Sequence, residues 1–331
     1  MNSLTGTLEG SAMQMTWIDV TVTAKQMEAE GIASFTLASI SGQPLPDFTP
    51  GAHIDVEIAP GLIRQYSLCG AKEHGSCYLI GVLNDAGSRG GSRALHTVKV
   101  GHQLRISAPR NHFPLAQEAD HSILIAGGIG ITPILAMAER LQEQGQSFEM
   151  HFCARSVDKA AFRARIIDSD VGVKTRFYFD EQGQRIDLPE LLRTPASGAH
   201  LYVCGPQGFM SAVLSTAAAQ GWSDAHLHKE FFAAAPLEST DGDRPFDIIL
   251  SSTGARYHIG ADQSIVTVLE GQGIEIPVSC EQGICGTCLT RVLEGEVEHR
   301  DSVLTSTDRD TGKLFTPCCS RAKGDLLVLD L

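Results

Sequence analysis

The sequence predicts a multidomain protein: an antiparallel β-barrel, a Rossmann-like parallel α/β domain, and a small C-terminal β-rich domain around a cysteine loop. Three observations predict it. Short alternating or apolar runs, punctuated by Gly and Pro, fill the first third of the chain. Strand-like and helix-like stretches then alternate. Finally, Cys280, Cys285 and Cys288 stand in C-x4-C-x2-C spacing, with a fourth cysteine at Cys318. A length of 331 residues accommodates two or three domains, and 43% hydrophobic content allows each a core.

Residues 1–15 read as a flexible polar leader, because no basic stretch precedes an apolar one as in a signal peptide. Between 16 and 117, residues 19–23, 33–38, 53–58 and 78–83 read as strands, with P-G-A-H and A-P-G-L as turns. Many short strands so punctuated suggest a small barrel. Between 118 and 235 the pattern changes. S-I-L-I-A at 122–126 is a buried-type strand, followed by G-G-I-G-I-T-P and a helix over 134–144. Strands at 148–153, 174–179 and 200–204 alternate with helical stretches near 160–167 and at 207–219, as in a parallel sheet covered on both faces. Residues 236–245 are polar, contain two prolines and show no periodicity, the composition of a linker. The last segment, 246–331, opens with strands at 246–250 and 255–259. A helix at 264–269 follows, with Asp262 as its expected N-cap and Gly271 past its end, and L-L-V-L-D-L closes the chain as a strand.

Composition excludes some functions. The formal charge is −13 and no basic stripe exists, which argues against nucleic-acid binding. No run of eighteen apolar residues exists, so no membrane span is expected. Nine cysteines in a chain of this length fit free thiols in a reducing cytoplasm better than a disulfide scaffold.

The cysteine spacing carries the chemistry. C-x4-C-x2-C followed thirty residues later by Cys318 is the plant-type [2Fe–2S] spacing. Each iron takes two thiolates, and Gly283 and Gly286 allow backbone N–H groups to turn toward sulfur. A structural zinc site is the competing reading, but it usually pairs two C-x2-C units, and only one is present. Cys319 could compete for the fourth position, although Cys318 reproduces the expected gap.

Two glycine loops suggest nucleotide binding. Gly127-Gly128-Ile129-Gly130 follows the first strand of the α/β domain and opens a helix, where a pyrophosphate finds backbone donors and a favourable dipole. Taken alone it is equally a tight packing turn, since it is not G-x-G-x-x-G. Cys204-Gly205-Pro206 ends a later strand, where ligands bind in such sheets. In the barrel, Arg64-Gln65-Tyr66-Ser67 and Arg89-Gly90-Gly91-Ser92 offer guanidinium groups, backbone donors and an aromatic face. Each alone is as readily surface or packing.

In combination and order, R-Q-Y-S-L, R-G-G-S, G-G-I-G-I-T-P, C-G-P-Q and the cysteine loop resemble the phthalate dioxygenase reductase family. That family includes the reductase components of vanillate demethylases and lies within the ferredoxin–NADP reductase superfamily. The resemblance spans the chain after the leader. It implies an FMN-binding barrel, an NAD(P)H-binding domain and a β-grasp plant-type ferredoxin domain. Arg64 and the turn Arg89, Gly90, Gly91 and Ser92 would hold the FMN phosphate. Gln65, Tyr66 and Ser67 would lie along the flavin, with Gly81 and Val82 lining the ring and Glu230 and Phe232 nearby. Gly128, Gly130 and Thr132 would contact the dinucleotide, with Cys204, Gly205 and Pro206 beside the nicotinamide. Ser67, Cys204, Glu230 and Phe232 would surround the reacting ring. Arg155 precedes Ser156 where phthalate dioxygenase reductase carries Arg-Asp, and Asp158 is displaced; NADH is favoured over NADPH.

The implied function is electron transfer from NADH by way of FMN and the [2Fe–2S] cluster to a separate Rieske-type terminal oxygenase, by a monomeric protein. A flavin is required because nicotinamide gives two electrons together and the cluster takes one. The terminal oxidation is not expected here, since no C-x-H…C-x-x-H Rieske pattern appears. The alternative acceptor is a cytochrome P450 or another haem oxygenase.

Overall fold

The computed structural model describes residues 17–72, 77–85, 87, 90–194, 197–232, 243–304 and 306–331. The expected leader, Arg89 and residues 236–242 of the expected linker lie outside the described residues.

The first sheet contains β1 (Trp17–Ala29), β2 (Ile32–Ser39), β3 (Ala52–Ala59), β4 (Leu62–Lys72), β5 (Cys77–Leu83), β6 (Gln103–Ser107) and β7 (Arg110–Asn111). Strand order is β4-β5-β2-β1-β6-β3-β7, and a further β3–β4 pairing closes six of the strands into a barrel. All pairings are antiparallel. Alternation makes the barrel: Val20 and Val22, Ile54 and Val56, Ile80 and Val82, and Leu104 and Ile106 fill the lumen. A short helix, α1 (Gly91–Thr97), contributes Leu95 to this core.

The second sheet is parallel, with β8 (His121–Gly127), β9 (Phe148–Ala154), β10 (Thr175–Phe179), β11 (Ala199–Cys204) and β12 (Leu227–Glu230) in the order β10-β9-β8-β11-β12. Its helices are α2 (Ile131–Glu143), α3 (Arg163–Ile167), α4 (Leu188–Leu191) and α5 (Gln207–Ala219). The unbroken apolar run of β8 has a simple cause. Leu124 and Ala126 join the core on one face of the sheet, while Ile123 and Ile125 join the core on the other. The helix after the glycine loop starts at Ile131, earlier than expected, because Pro133 is tolerated in a first turn. Order reverses between β8 and β11, which makes the crevice at their C-terminal ends the topological switch point.

The third region contains β13 (Phe246–Leu250), β14 (Arg256–Ile259), α6 (Ile265–Glu270), β15 (Thr290–Glu294), β16 (Val297–Glu298), α7 (Ser306–Thr311), β17 (Leu314–Phe315), β18 (Arg321–Ala322) and β19 (Leu326–Leu329). Its main sheet runs β14-β13-β19-β15-β17, with β13 and β19 parallel and α6 packed on the core beneath them, a β-grasp. One expectation is corrected. Ser264, not Asp262, caps α6: its hydroxyl accepts the Thr267 N–H at 3.1 Å. Asp262 lies too far upstream of Ile265 to reach the orphan donors. Among the described residues no helix is long and apolar enough to cross a membrane.

Candidate active site

A cleft opens between the barrel, the end of the parallel sheet and the cysteine loop. Arg64, Gln65, Tyr66 and Ser67 of β4 form one wall, residues 229–232 at the end of β12 form a second, and Cys280, Gln282 and Ile284 form a third. Antiparallel pairing of β3 and β4 sets His53 opposite Ser67, so His53 also lines the cleft. The Arg64 stem crosses Gly91 so closely that a Cβ there would sit 2.4 Å from Arg64 Cγ. The R-Q-Y-S and G-G-S segments are thereby brought together, and only glycine permits the approach. Ser92 hydroxyl accepts from the Asp85 N–H at 3.3 Å.

The electrostatics of this cleft favour neutral groups. Ser67 Oγ donates to Glu230 Oε2 at 3.0 Å, across 163 residues of sequence. Burial pushes the Glu230 carboxyl up to about 8, against the lowering effect of the Ser67 hydrogen bond. His53 Nδ1 lies 3.9 Å from Glu230 Oε1, and burial, aided by Arg110 and His112, pushes the imidazole down to about 3. His53 Nε2 is buried without a hydrogen-bond partner among the described residues. Burial also raises the Tyr66 phenol. Phe232 is 40% exposed at the cleft edge.

The predicted nucleotide loops also converge. A Cβ at Gly130 would lie 2.2 Å from Cys204 O, so the G-G-I-G loop and the end of β11 are packed backbone to backbone at the switch point. A Cβ at Gly205 would in turn lie 3.0 Å from Gly127 Cα. Cys204 pairs with Glu230 in the sheet register and is fully buried, its thiol pushed well above the usual range by burial and then by Glu230. Thr132 is buried, and its methyl packs on Gly81. Gly81 therefore faces the α/β domain, Val82 points into the barrel core, and neither lines the cleft beside Tyr66. Arg155 is exposed just past β9, its carbonyl accepting the Glu181 N–H.

The four cysteines gather as two pairs. Cys288 and Cys318 sulfurs lie 3.3 Å apart. Cys280 and Cys285 are hydrogen-bonded to one another, which lowers the Cys285 thiol and raises that of Cys280. Backbone N–H groups of Gln282 and Thr287 point at Cys280 and Cys285 at 3.3 and 3.4 Å. Gly283 and Gly286 adopt φ of +70° and +69°, which turns the loop inward. Among the described residues no three His, Cys, Asp or Glu side chains converge as ligands of one ion do. Paired thiols with aimed N–H donors suit two irons rather than one zinc. Cys319 hydrogen-bonds the adjacent Cys318 thiol, packs on Gly283 and bonds Thr316 Oγ1 at 3.2 Å.

Sequence reasoning did not reach His53, His112, Lys229 or Gln282, all of which line the cleft. Isolated polar residues in apolar strands, as in A-H-I-D-V, were the available signal for His53.

A closed barrel, a parallel sheet with two glycine loops at its switch point, and a thiol-lined loop sharing one cleft define an oxidoreductase of the flavin-reductase fold carrying a 2Fe-2S domain. Residues 248–323 match the 2Fe-2S iron-sulfur cluster binding domain. Residues 103–227 match the N-terminal domain of dimethylamine monooxygenase subunit DmmA-like proteins. The chain is 54% identical to a vanillate O-demethylase oxidoreductase of Pseudomonas putida, over 95% of this chain and 100% of that protein. It superposes on phthalate dioxygenase reductase with a TM-score of 0.70 at 35% identity, over 95% of this chain and 98% of that one. It also superposes on an intact type IV self-sufficient cytochrome P450 monooxygenase with a TM-score of 0.88 at 41% identity, over 95% of this chain but only 41% of that one. The chain belongs to the phthalate dioxygenase reductase and vanillate O-demethylase reductase family, the reductases of oxygenase and demethylase systems.

Proposed function

We propose that this chain is the reductase component of a Rieske-type aromatic oxygenase or O-demethylase system, carrying electrons from NADH by way of FMN and a [2Fe–2S] cluster to a separate oxygenase. One observation carries the reading: a single cleft is walled by Arg64–Ser67, by the end of β12 and by the Cys280 loop. When bound, a flavin would supply the change from two-electron hydride chemistry to single-electron chemistry, and a [2Fe–2S] cluster the one-electron capacity that follows it.

The residues present fit both groups. A cleft walled by Tyr66, Ser67 and Phe232, with His53 Nε2 buried in its wall and without a partner among the described residues, offers an aromatic and polar lining that suits a flavin ring. Arg64, with Gly90, Gly91 and Ser92, would hold the FMN phosphate, and Arg89 would join them. Tyr66 would cover one ring face and Phe232 the other edge. Ser67 and Glu230 hold a proton at the cleft wall, because a carboxyl raised to about 8 stays protonated near neutrality. The neutral Cys204 thiol beside them offers the nicotinamide an uncharged seat, with Gly205 and Pro206. Gly128, Gly130 and Thr132 would orient the pyrophosphate at the N-terminus of α2. Cys280 and Cys285 would hold one iron, and Cys288 and Cys318 the other. NADH is favoured because the vanillate-type members of the family that the chain resembles share the A-R-S run containing Arg155.

The partner reading rests on relatives named for vanillate O-demethylation and phthalate dioxygenation. A second reading, a haem acceptor, is favoured by the P450 superposition. The resemblance implies a monomer, and a reducing cytoplasm suits a chain in which no disulfide joins the described cysteines.

Anaerobic titration with NADH, followed by visible absorption and low-temperature EPR, tests the proposal. Flavin bleaching together with a [2Fe–2S] signal supports it. Bleaching with no iron signal would overturn the assignment of the cysteines. Mixing the reduced protein with a Rieske oxygenase and with a P450 separates the two acceptor readings.

A further inference from the structure

Asp55 of β3 is fully buried, yet its carboxylate serves two regions of the molecule. Oδ2 accepts from Arg110 Nη2 at 2.6 Å, and Oδ1 accepts from Gln65 Nε2 at 3.0 Å, both within the barrel. Oδ1 also accepts from Ser279 Oγ at 2.7 Å, and Ser279 immediately precedes Cys280. Arg110 Nη2 in turn donates to Thr287 Oγ1 at 3.2 Å, and the Thr287 N–H points at Cys285. Two hydrogen bonds therefore cross from the barrel to the cysteine loop, one on each side of the Cys280–Cys285 pair. The end of β7 adds a third contact: a Cβ on Gly286 would lie 3.2 Å from His112 Nε2.

We propose that the Asp55–Arg110 pair anchors the cysteine loop against the cleft, which makes both positioning residues for electron passage between flavin and cluster. The proposal rests on the reading of the cleft and loop given above. Net stability is a poor explanation for the pair, because desolvation of two buried charges offsets most of their attraction. Geometry is a better one. Asp55 Oδ1 keeps both of its hydrogen bonds, and Arg110 Nη2 both of its own, only when Ser279 and Thr287 are seated, so the arrangement favours one register of the loop. An apolar contact of equal area would tolerate sliding.

The test uses the full-length holoprotein with Asp55→Asn, Ser279→Ala and Ser279→Thr. Losing one charge-assisted bond is expected to raise amide exchange across residues 279–288 about tenfold and to slow cluster reduction about tenfold. Iron and flavin content and flavin bleaching by NADH should stay near those of the parent; Ser279→Ala should also keep the parental melting temperature, whereas Asp55→Asn, which removes the Arg110 counter-charge, should melt lower. Ser279→Thr, which keeps the hydroxyl, should restore both readouts. If Asp55→Asn does not fold, the Ser279 pair carries the test alone, since it leaves the ion pair intact. A folded Ser279→Ala protein with parental exchange and parental cluster reduction would overturn the anchor. An unaltered chain that NADH does not bleach would instead overturn the reading of the cleft, and the anchor's role with it.

Discussion

Glu230 and His53 shift in opposite directions for one reason, burial, and both are driven toward neutrality. They form a neutral pair near pH 7 rather than an ion pair, despite a separation of 3.9 Å. The consequences for stability have opposite signs. His53 is lowered to about 3, so its contribution is complete above its ordinary value of 6.5 and is lost as pH falls toward 3. Glu230 is raised to about 8, so its contribution is complete below 4.5 and is lost as pH rises through 8. His53→Gln should therefore flatten the acid limb, recovering about 3 kcal/mol at pH 4 relative to pH 7, as measured by urea unfolding at both values. A second prediction concerns the adjacent thiols. Cys318 faces Cys288 at 3.3 Å, while Cys319 is engaged by Thr316. Cys318→Ser should abolish the iron signal and leave flavin reduction by NADH intact; Cys319→Ser should keep the signal, as EPR and iron analysis will show.

Elements were legible where their burial pattern was simple. The strand β13, F-D-I-I-L, and the helix α5 coincide with their expected bounds, because one alternates cleanly and the other runs unbroken from proline to its end. The strand β15 was not legible: in T-R-V-L-E only Thr290 and Val292 are buried, and exposed Leu293 breaks the alternation. The cap of α6 was misread because Asp262 and Ser264 are both good N-caps, and only the start of the helix decides between them. The glycine loop before α2 has a consequence for the whole element. Since a Cβ at Gly130 would meet Cys204 O at 2.2 Å, Gly130→Ala must push α2 away from β11. We expect a loss of about 1–3 kcal/mol in chemical denaturation. The KM for NADH should rise more than flavin content falls, because Gly130 lies at the nucleotide crevice while α2 reaches the barrel through its packing on β4 and on Gly81.

At the scale of the molecule, motif order revealed the three domains, whereas the joints between them were hidden. Ser279 meets Asp55 across 224 residues, and no local pattern in either segment announces the contact. The Ser67–Glu230 hydrogen bond was hidden too: resemblance placed each residue near the flavin, but a strand residue and a carboxylate 163 positions apart share no periodicity. Charge, in contrast, is legible and makes a prediction of its own. The chain carries −13 formally, and from Phe246 onward thirteen Asp and Glu face seven Lys and Arg. Such a surface would steer a basic docking patch on the acceptor, and that attraction is screened once the Debye length falls to a few ångströms. In the proposed function NADH would enter at the switch-point crevice, where backbone donors would act at contact distance. Raising NaCl from about 0.05 to about 0.5 M should therefore slow electron delivery to the oxygenase about tenfold, with flavin reduction by NADH changing far less. Stopped-flow traces of both steps at each salt concentration measure this. A delivery rate independent of salt would mean that the acidic residues serve solubility and that docking is apolar.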